Sequence, residues 1–113
     1  MSISSRTVDG VTILDLTGRI TMGEVSVELR NKIRDLVKSG QKNILLNLGE
    51  VSYMDSSGIG ELVSAYATVS GQGGRFTLLN LTRKLHELLA ITKLLTVFDT
   101  YENEEQALQS YRK

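Results

Sequence analysis

Hydrophobic and polar positions along this chain follow two periods that alternate from one end to the other. Residues 3–8 and 11–17 are β-prone and are separated by Asp9-Gly10, a dipeptide that tolerates the positive φ angles of a tight turn. The pattern predicts an opening β-hairpin. In its second arm Val11, Ile13, Leu14 and Leu16 mix with Thr12, Asp15 and Thr17, which predicts one face buried more completely than the other. After Gly18-Arg19-Ile20, Thr21 stands three residues before Glu24, the spacing of a capping box. A helix is expected from there, because Val25, Leu29, Ile33, Leu36 and Val37 recur at three- and four-residue steps until Ser39-Gly40.

Residues 43–48 are nearly continuous in apolar character, as in an interior strand covered on both faces, and Gly49 is expected to end that strand. A second helix is predicted over 57–70 with Ile59, Leu62, Val63 and Tyr66 as its buried stripe, stopped by Gly71-Gln72-Gly73-Gly74. Residues 76–81 read as a strand, and Thr82 as the cap of a helix carrying Leu85, Leu88 and Leu89. Residues 96–98 read as a brief edge strand, and Asn103 as the cap of a last helix with Ala107, Leu108 and Tyr111 inward. The order β-β-α-β-α-β-α-β-α makes the fold class α/β: a mixed, mostly parallel sheet of four to five strands with flanking helices.

The 113 residues suit one domain spanning 1–113, and the absence of cysteine excludes disulfides and thiolate metal clusters. Thirteen basic and thirteen acidic residues cancel, which argues against direct nucleic-acid binding or charge-driven membrane attachment. Met1-Ser2-Ile3-Ser4-Ser5-Arg6 lacks the order of a secretory signal, and no apolar run approaches the roughly 18 residues of a spanning helix. A cytoplasmic location without membrane insertion is therefore expected, and no residue pattern asks for a metal or another cofactor.

The chemistry concentrates where Asp55-Ser56-Ser57-Gly58-Ile59-Gly60 joins a strand to an amphipathic helix. Asp and Ser at a helix start satisfy free backbone N–H groups, so Asp55 or Ser56 reads first as a structural cap. Gly58 and Gly60 each sacrifice roughly 1 kcal/mol of helix propensity relative to alanine, which capping does not require. Side-chain-free positions beside two hydroxyls leave room for another molecule to approach.

Met54-Asp55-Ser56-Ser57-Gly58-Ile59-Gly60, preceded by a strand at 44–48 and followed by a helix, resembles the phosphorylation segment of bacterial anti-sigma factor antagonists in the STAS family. The likeness extends to the Leu16-Thr17-Gly18-Arg19-Ile20 turn, the Gly73-Gly74 break and the short C-terminal helix. It implies a STAS-like fold and a binding switch that is not an enzyme. It also implies Ser57 as phosphate acceptor, a partner anti-sigma factor with serine kinase activity, and a metal-dependent serine phosphatase that resets the switch. Partner binding is expected at Asp55, Ser56, Ser57 and Gly58, together with Arg19, Thr21 and Glu24 and the exposed face of helix 57–70. Many relatives carry aspartate where Thr21 stands, and Arg19 often has an acidic counterpart.

Other features carry less. His86 has no second ligand or nucleophile near it in sequence, so it is assigned no role. Gly71-Gln72-Gly73-Gly74 lacks the Lys-Ser/Thr of a phosphate cradle and reads as a helix stop. Arg83 and Lys84 read as a solvated face, and Met22 and Met54 as core filling. Two alternatives remain open at this point: an accessory STAS subunit of a lipid transporter or stress-sensing complex, and a small-nucleotide-binding protein using the helix start at Ser57.

Overall fold

A computed structural model describes residues 2–21 and 23–112, apart from the side chains of Glu24 and Val25. The chain opens with β1 (Ser2–Val8) and β2 (Val11–Ile20), antiparallel partners joined at Asp9-Gly10. Both turn residues have positive φ, 53° and 79°, as a two-residue hairpin of this hand requires. Then follow α1 (Glu24–Lys38), β3 (Asn43–Met54), α2 (Ser56–Gly71), β4 (Arg75–Leu79), α3 (Arg83–Ile91), β5 (Asp99–Tyr101) and α4 (Glu104–Gln109). The sheet order is β1-β2-β3-β4-β5, with every pair after the hairpin parallel. The α/β class, the mixed sheet and the opening hairpin are as the periodicities predict.

Both faces of the sheet are covered. On one, Leu14, Leu46 and Leu78 from three adjacent strands meet Leu29 and Ile33 of α1, Leu62 and Val69 of α2, and Leu85 and Leu89 of α3. On the other, Val11, Ile13, Leu45 and Leu79 pack against Ala107 and Leu108 of α4. β2 is thus interior and buried on both sides over Val11 to Leu14, more evenly than its mixed composition suggests.

Several boundaries differ from expectation for identifiable reasons. β3 does not stop at Gly49 but runs to Met54, because residues 50–54 keep pairing with the end of β2 through two register shifts. The segment 16–20, expected as a turn, is the continuation of β2, with Gly18 at φ 95° beside the second shift. β4 ends at Leu79, so the β2–β3 extension projects past it. Residues 96–98 form a turn instead of an edge strand. Phe98 is buried against Tyr66 and Phe76, and the pairing with β4 begins one residue later. On α2, Val63 is 38% exposed and Tyr66 half-buried, while Glu61 and Ala65 join Ile59 and Leu62 on the inner stripe.

The capping box is corrected. The N-cap position of α1 is Gly23, at φ 104°, and Thr21 contributes only its carbonyl, which accepts a 2.7 Å bond from the Ser26 hydroxyl. The Glu24 side chain, and Met22 as a core residue, lie outside the described residues. Met54 is buried, and His86 is exposed, as expected. Among the described residues no helix is long and apolar enough to cross a membrane.

Candidate functional site

Parallel pairing brings the sequence-predicted residues together. Arg19 pairs with Tyr53 and Ile20 with Met54, so the chain leaves β2 toward α1 beside the point where it leaves β3 toward α2. A backbone bond from the Asp55 N–H to the Ile20 carbonyl, 3.3 Å, ties the two exits. Arg19, on the exposed strand surface, lays its guanidinium 4.8 Å from the centre of the Tyr53 ring. Thr21 is half-buried beside the same junction, and the Glu24 side chain lies outside the described residues.

Asp55 is the N-cap of α2. Its backbone is extended, φ −96° and ψ −173°, and its Oδ1 accepts from the Gly58 N–H at 3.0 Å. Ser56 and Ser57 occupy the first two helical positions, where backbone N–H groups have no acceptor within the helix and the dipole favours negative charge. Their side chains leave the helix on different sides. Ser56, exposed, borders a cleft of about 560 Å³ between β3 and α3, lined by Tyr53, Ile59, Leu85 and Leu88. Ser57, half-buried, borders a cleft of about 290 Å³ against α1, lined by Ser26, Val27, Arg30, Gly60 and Glu61. Among the described residues the Ser57 hydroxyl has no hydrogen-bond partner.

The two glycines part company. A Cβ on Gly58 would lie 2.5 Å from Met54 Cγ and 2.6 Å from the Ile20 carbonyl oxygen, so this position is glycine because β2 packs onto the first turn of α2. It does not leave room for another molecule, contrary to the expectation from composition. Around Gly60 a Cβ would meet nothing within 4 Å, and here the expectation of open space holds.

Sequence reasoning missed Glu61 and Arg30. Glu61 is 8% exposed, on the inner stripe of α2, and a carboxylate so placed needs a partner. Arg30 of α1 supplies a two-pronged one, with Nη2 to Oε1 at 2.5 Å and Nε to Oε2 at 3.2 Å. The bond to Glu61 holds the guanidinium proton more tightly than usual. The three- and four-residue spacing that puts Ile59, Leu62 and Ala65 inside also puts Glu61 there, so an acid on that stripe was a readable signal. Tyr53 was missed too, although it is the one aromatic residue in the segment leading into the serines and is 46% exposed. Among the described residues no group of three or more His, Cys, Asp or Glu is placed to hold a metal ion.

Comparison with known proteins decides the family. Residues 2–107 match the STAS domain. This chain belongs to the STAS family. The anti-sigma-B factor antagonist of Bacillus subtilis (strain 168) is 34% identical over 96 residues, which cover 85% of this chain and 86% of that protein. The crystal structure of a candidate anti-sigma factor antagonist from Thermotoga maritima superposes with a TM-score of 0.91 at 25% identity, over 98% of this chain and 95% of that one. SpoIIAA, the Bacillus cell fate determinant, has been solved in its phosphorylated form. It shares the fold at a TM-score of 0.77 and 23% identity, over 98% of this chain and 100% of its own. The Ser57 junction thus sits in a STAS frame, and the anti-sigma factor antagonists of this family are non-enzymatic binding proteins.

Proposed function

We propose that this STAS protein is an anti-sigma factor antagonist whose binding is switched by phosphorylation of Ser57. Unmodified, it binds an anti-sigma factor with serine kinase activity, so that a sigma factor is released. The kinase then modifies Ser57, and a serine phosphatase restores the hydroxyl. The observation that carries this reading is the Ser57 hydroxyl itself: half-buried in the first turn of α2, facing a cleft, and without a bonded partner among the described residues. Support comes also from the names of its relatives, which are anti-sigma factor antagonists.

Phosphate at this position adds about −1.5 to −2 charges and three acceptor oxygens at the positive end of a helix, where the fold tolerates them. The surface offered by Arg19, Thr21, Asp55, Ser56, Ser57 and Gly58, with Glu24 at the head of α1, then changes in charge and bulk. A partner that had desolvated the hydroxyl would have to desolvate a dianion.

The test is incubation with the cognate kinase and ATP, followed by mass spectrometry. Phosphate should map to Ser57 and vanish in Ser57→Ala. Modification elsewhere, or a kinase that binds Ser57→Asp as tightly as the wild type, would reject the switch. Recovery of transporter components in place of a kinase, in a pull-down from the native cytoplasm, would favour a constitutive accessory subunit instead.

A further inference from the structure

We propose that Arg30 is the internal counter-ion of the modified site: its guanidinium bridges the Glu61 carboxylate and the phosphate on Ser57, fixing the phosphate on the α1 side of α2. The inference rests on the reading of Ser57 as the acceptor and adds a regulatory residue to it. Ser57, Arg30 and Glu61 line one cleft of about 290 Å³, ample for a phosphoryl group. Ser57 and Glu61 are four residues apart on α2, the separation at which helical side chains lie one above the other. A phosphate there would stand over a buried carboxylate, and like charges at this spacing repel.

Arg30 resolves the conflict. Its Nε and Nη2 are committed to Glu61, while its Nη1 has no partner among the described residues. An arginine fork carries five N–H donors, so the same side chain can hold Glu61 along one edge and accept a second anion at its free corner. No other basic residue lines this cleft among the described ones. In the unmodified state the Arg30–Glu61 pair is self-contained and contributes no net charge to the docking face. In the modified state Arg30 holds the phosphate near Ser26 and Val27, against α1 and away from the β3–α3 cleft beside Ser56. Arg30 acts through the phosphate and is a positioning residue.

The experiment places phosphoserine at position 57 genetically, so that no kinase is needed, and follows its second ionisation by 31P NMR in the full chain. Two forms are compared: Glu61→Gln, which keeps Arg30, and the double variant Glu61→Gln with Arg30→Gln, which removes the cation without leaving a buried acid unpaired. A guanidinium within contact distance lowers the apparent pKa, so the double variant should titrate about one unit higher, a tenfold change in proton affinity. Equal titration of the two forms would overturn the role of Arg30 even where kinase assays place phosphate on Ser57. Conversely, a shift in this assay with no kinase modification of Ser57 would uphold Arg30 as an anion partner and sink the switch.

Discussion

At the carboxyl ends of the parallel strands the Ser57 hydroxyl has no bonded partner among the described residues, whereas at their amino ends the Tyr111 hydroxyl has two. Tyr111 donates to the Ile44 carbonyl at 2.5 Å and receives the Thr77 hydroxyl at 2.7 Å, joining the C-terminal segment to β3 and β4. Beside it Arg75 bonds Asp99 at 3.1 Å and the Tyr101 hydroxyl at 3.0 Å, and lies 5.4 Å from the centre of the Tyr111 ring. The amino end has a concavity of about 610 Å³ and the carboxyl end has one of about 560 Å³ beside Ser56 and one of about 290 Å³ at Ser57, yet at the amino end the polar groups are mostly spoken for. Cavity size therefore hardly separates the two ends. Unspent hydrogen-bonding capacity at a helix start ranks them in the order that suits a modifiable surface.

The sharpest way to break this contrast is Gly58→Ala. Its Cβ would meet a backbone carbonyl that cannot swing aside, so the first turn of α2 and the end of β2 must separate. Overpacking of this kind costs about 2–3 kcal/mol. Urea unfolding should show that loss in full, with an unchanged slope. A variant as stable as the wild type would mean that β2 and α2 are not in contact at Gly58, and the junction would lose the anchor that fixes Ser57.

Tyr111→Phe tests the other end. Losing the hydroxyl leaves Ile44 and Thr77 without their partner, at a cost of about 1–2 kcal/mol near neutral pH. Burial pushes the Tyr111 phenol up from 10.0 to about 12, so the fold prefers its neutral form. The stabilisation is then complete below pH 10 and is lost as pH rises through 12, by at most about 3 kcal/mol. Stability measured between roughly pH 8 and pH 11.5 should fall more steeply for the wild type than for the variant. Parallel curves would show that the hydroxyl at this end is no more committed than the one at Ser57.

The legibility of each end in the sequence follows the range of the forces that build it. The caps at Asp55, Thr82 and Asn103 are local side chain–backbone bonds, and the expected residues make all three, to the N–H groups of Gly58, Leu85 and Gln106. The strand interiors and the Asp9-Gly10 hairpin are equally local patterns. The run of β3 beyond Gly49 is not, because it depends on two register shifts against a strand more than 30 residues earlier. The misplaced edge strand has a similar origin: Val97 and Phe98 look β-prone, but Phe98 serves an aromatic cluster with Tyr66 and Phe76, and the paired segment is the polar Asp99-Thr100-Tyr101. Arg30 resembles any solvated helix charge until α1 and α2 are packed and Glu61 is found opposite it.

The smallest expected effect has the opposite sign. Gly60→Ala places a methyl group in open space at a helical position, where alanine exceeds glycine by up to about 1 kcal/mol. The folded chain should therefore melt a few degrees higher, while the cleft beside Ser57 becomes shallower by one methyl. If Gly60 is open to admit a partner, affinity for the anti-sigma factor should drop as stability rises. A variant both more stable and equally tight would place the docking surface away from this face, on the side of Ser56 and Tyr53. Gly58 and Gly60 would then differ only in packing, and the openness of the carboxyl end would have no functional meaning at that position.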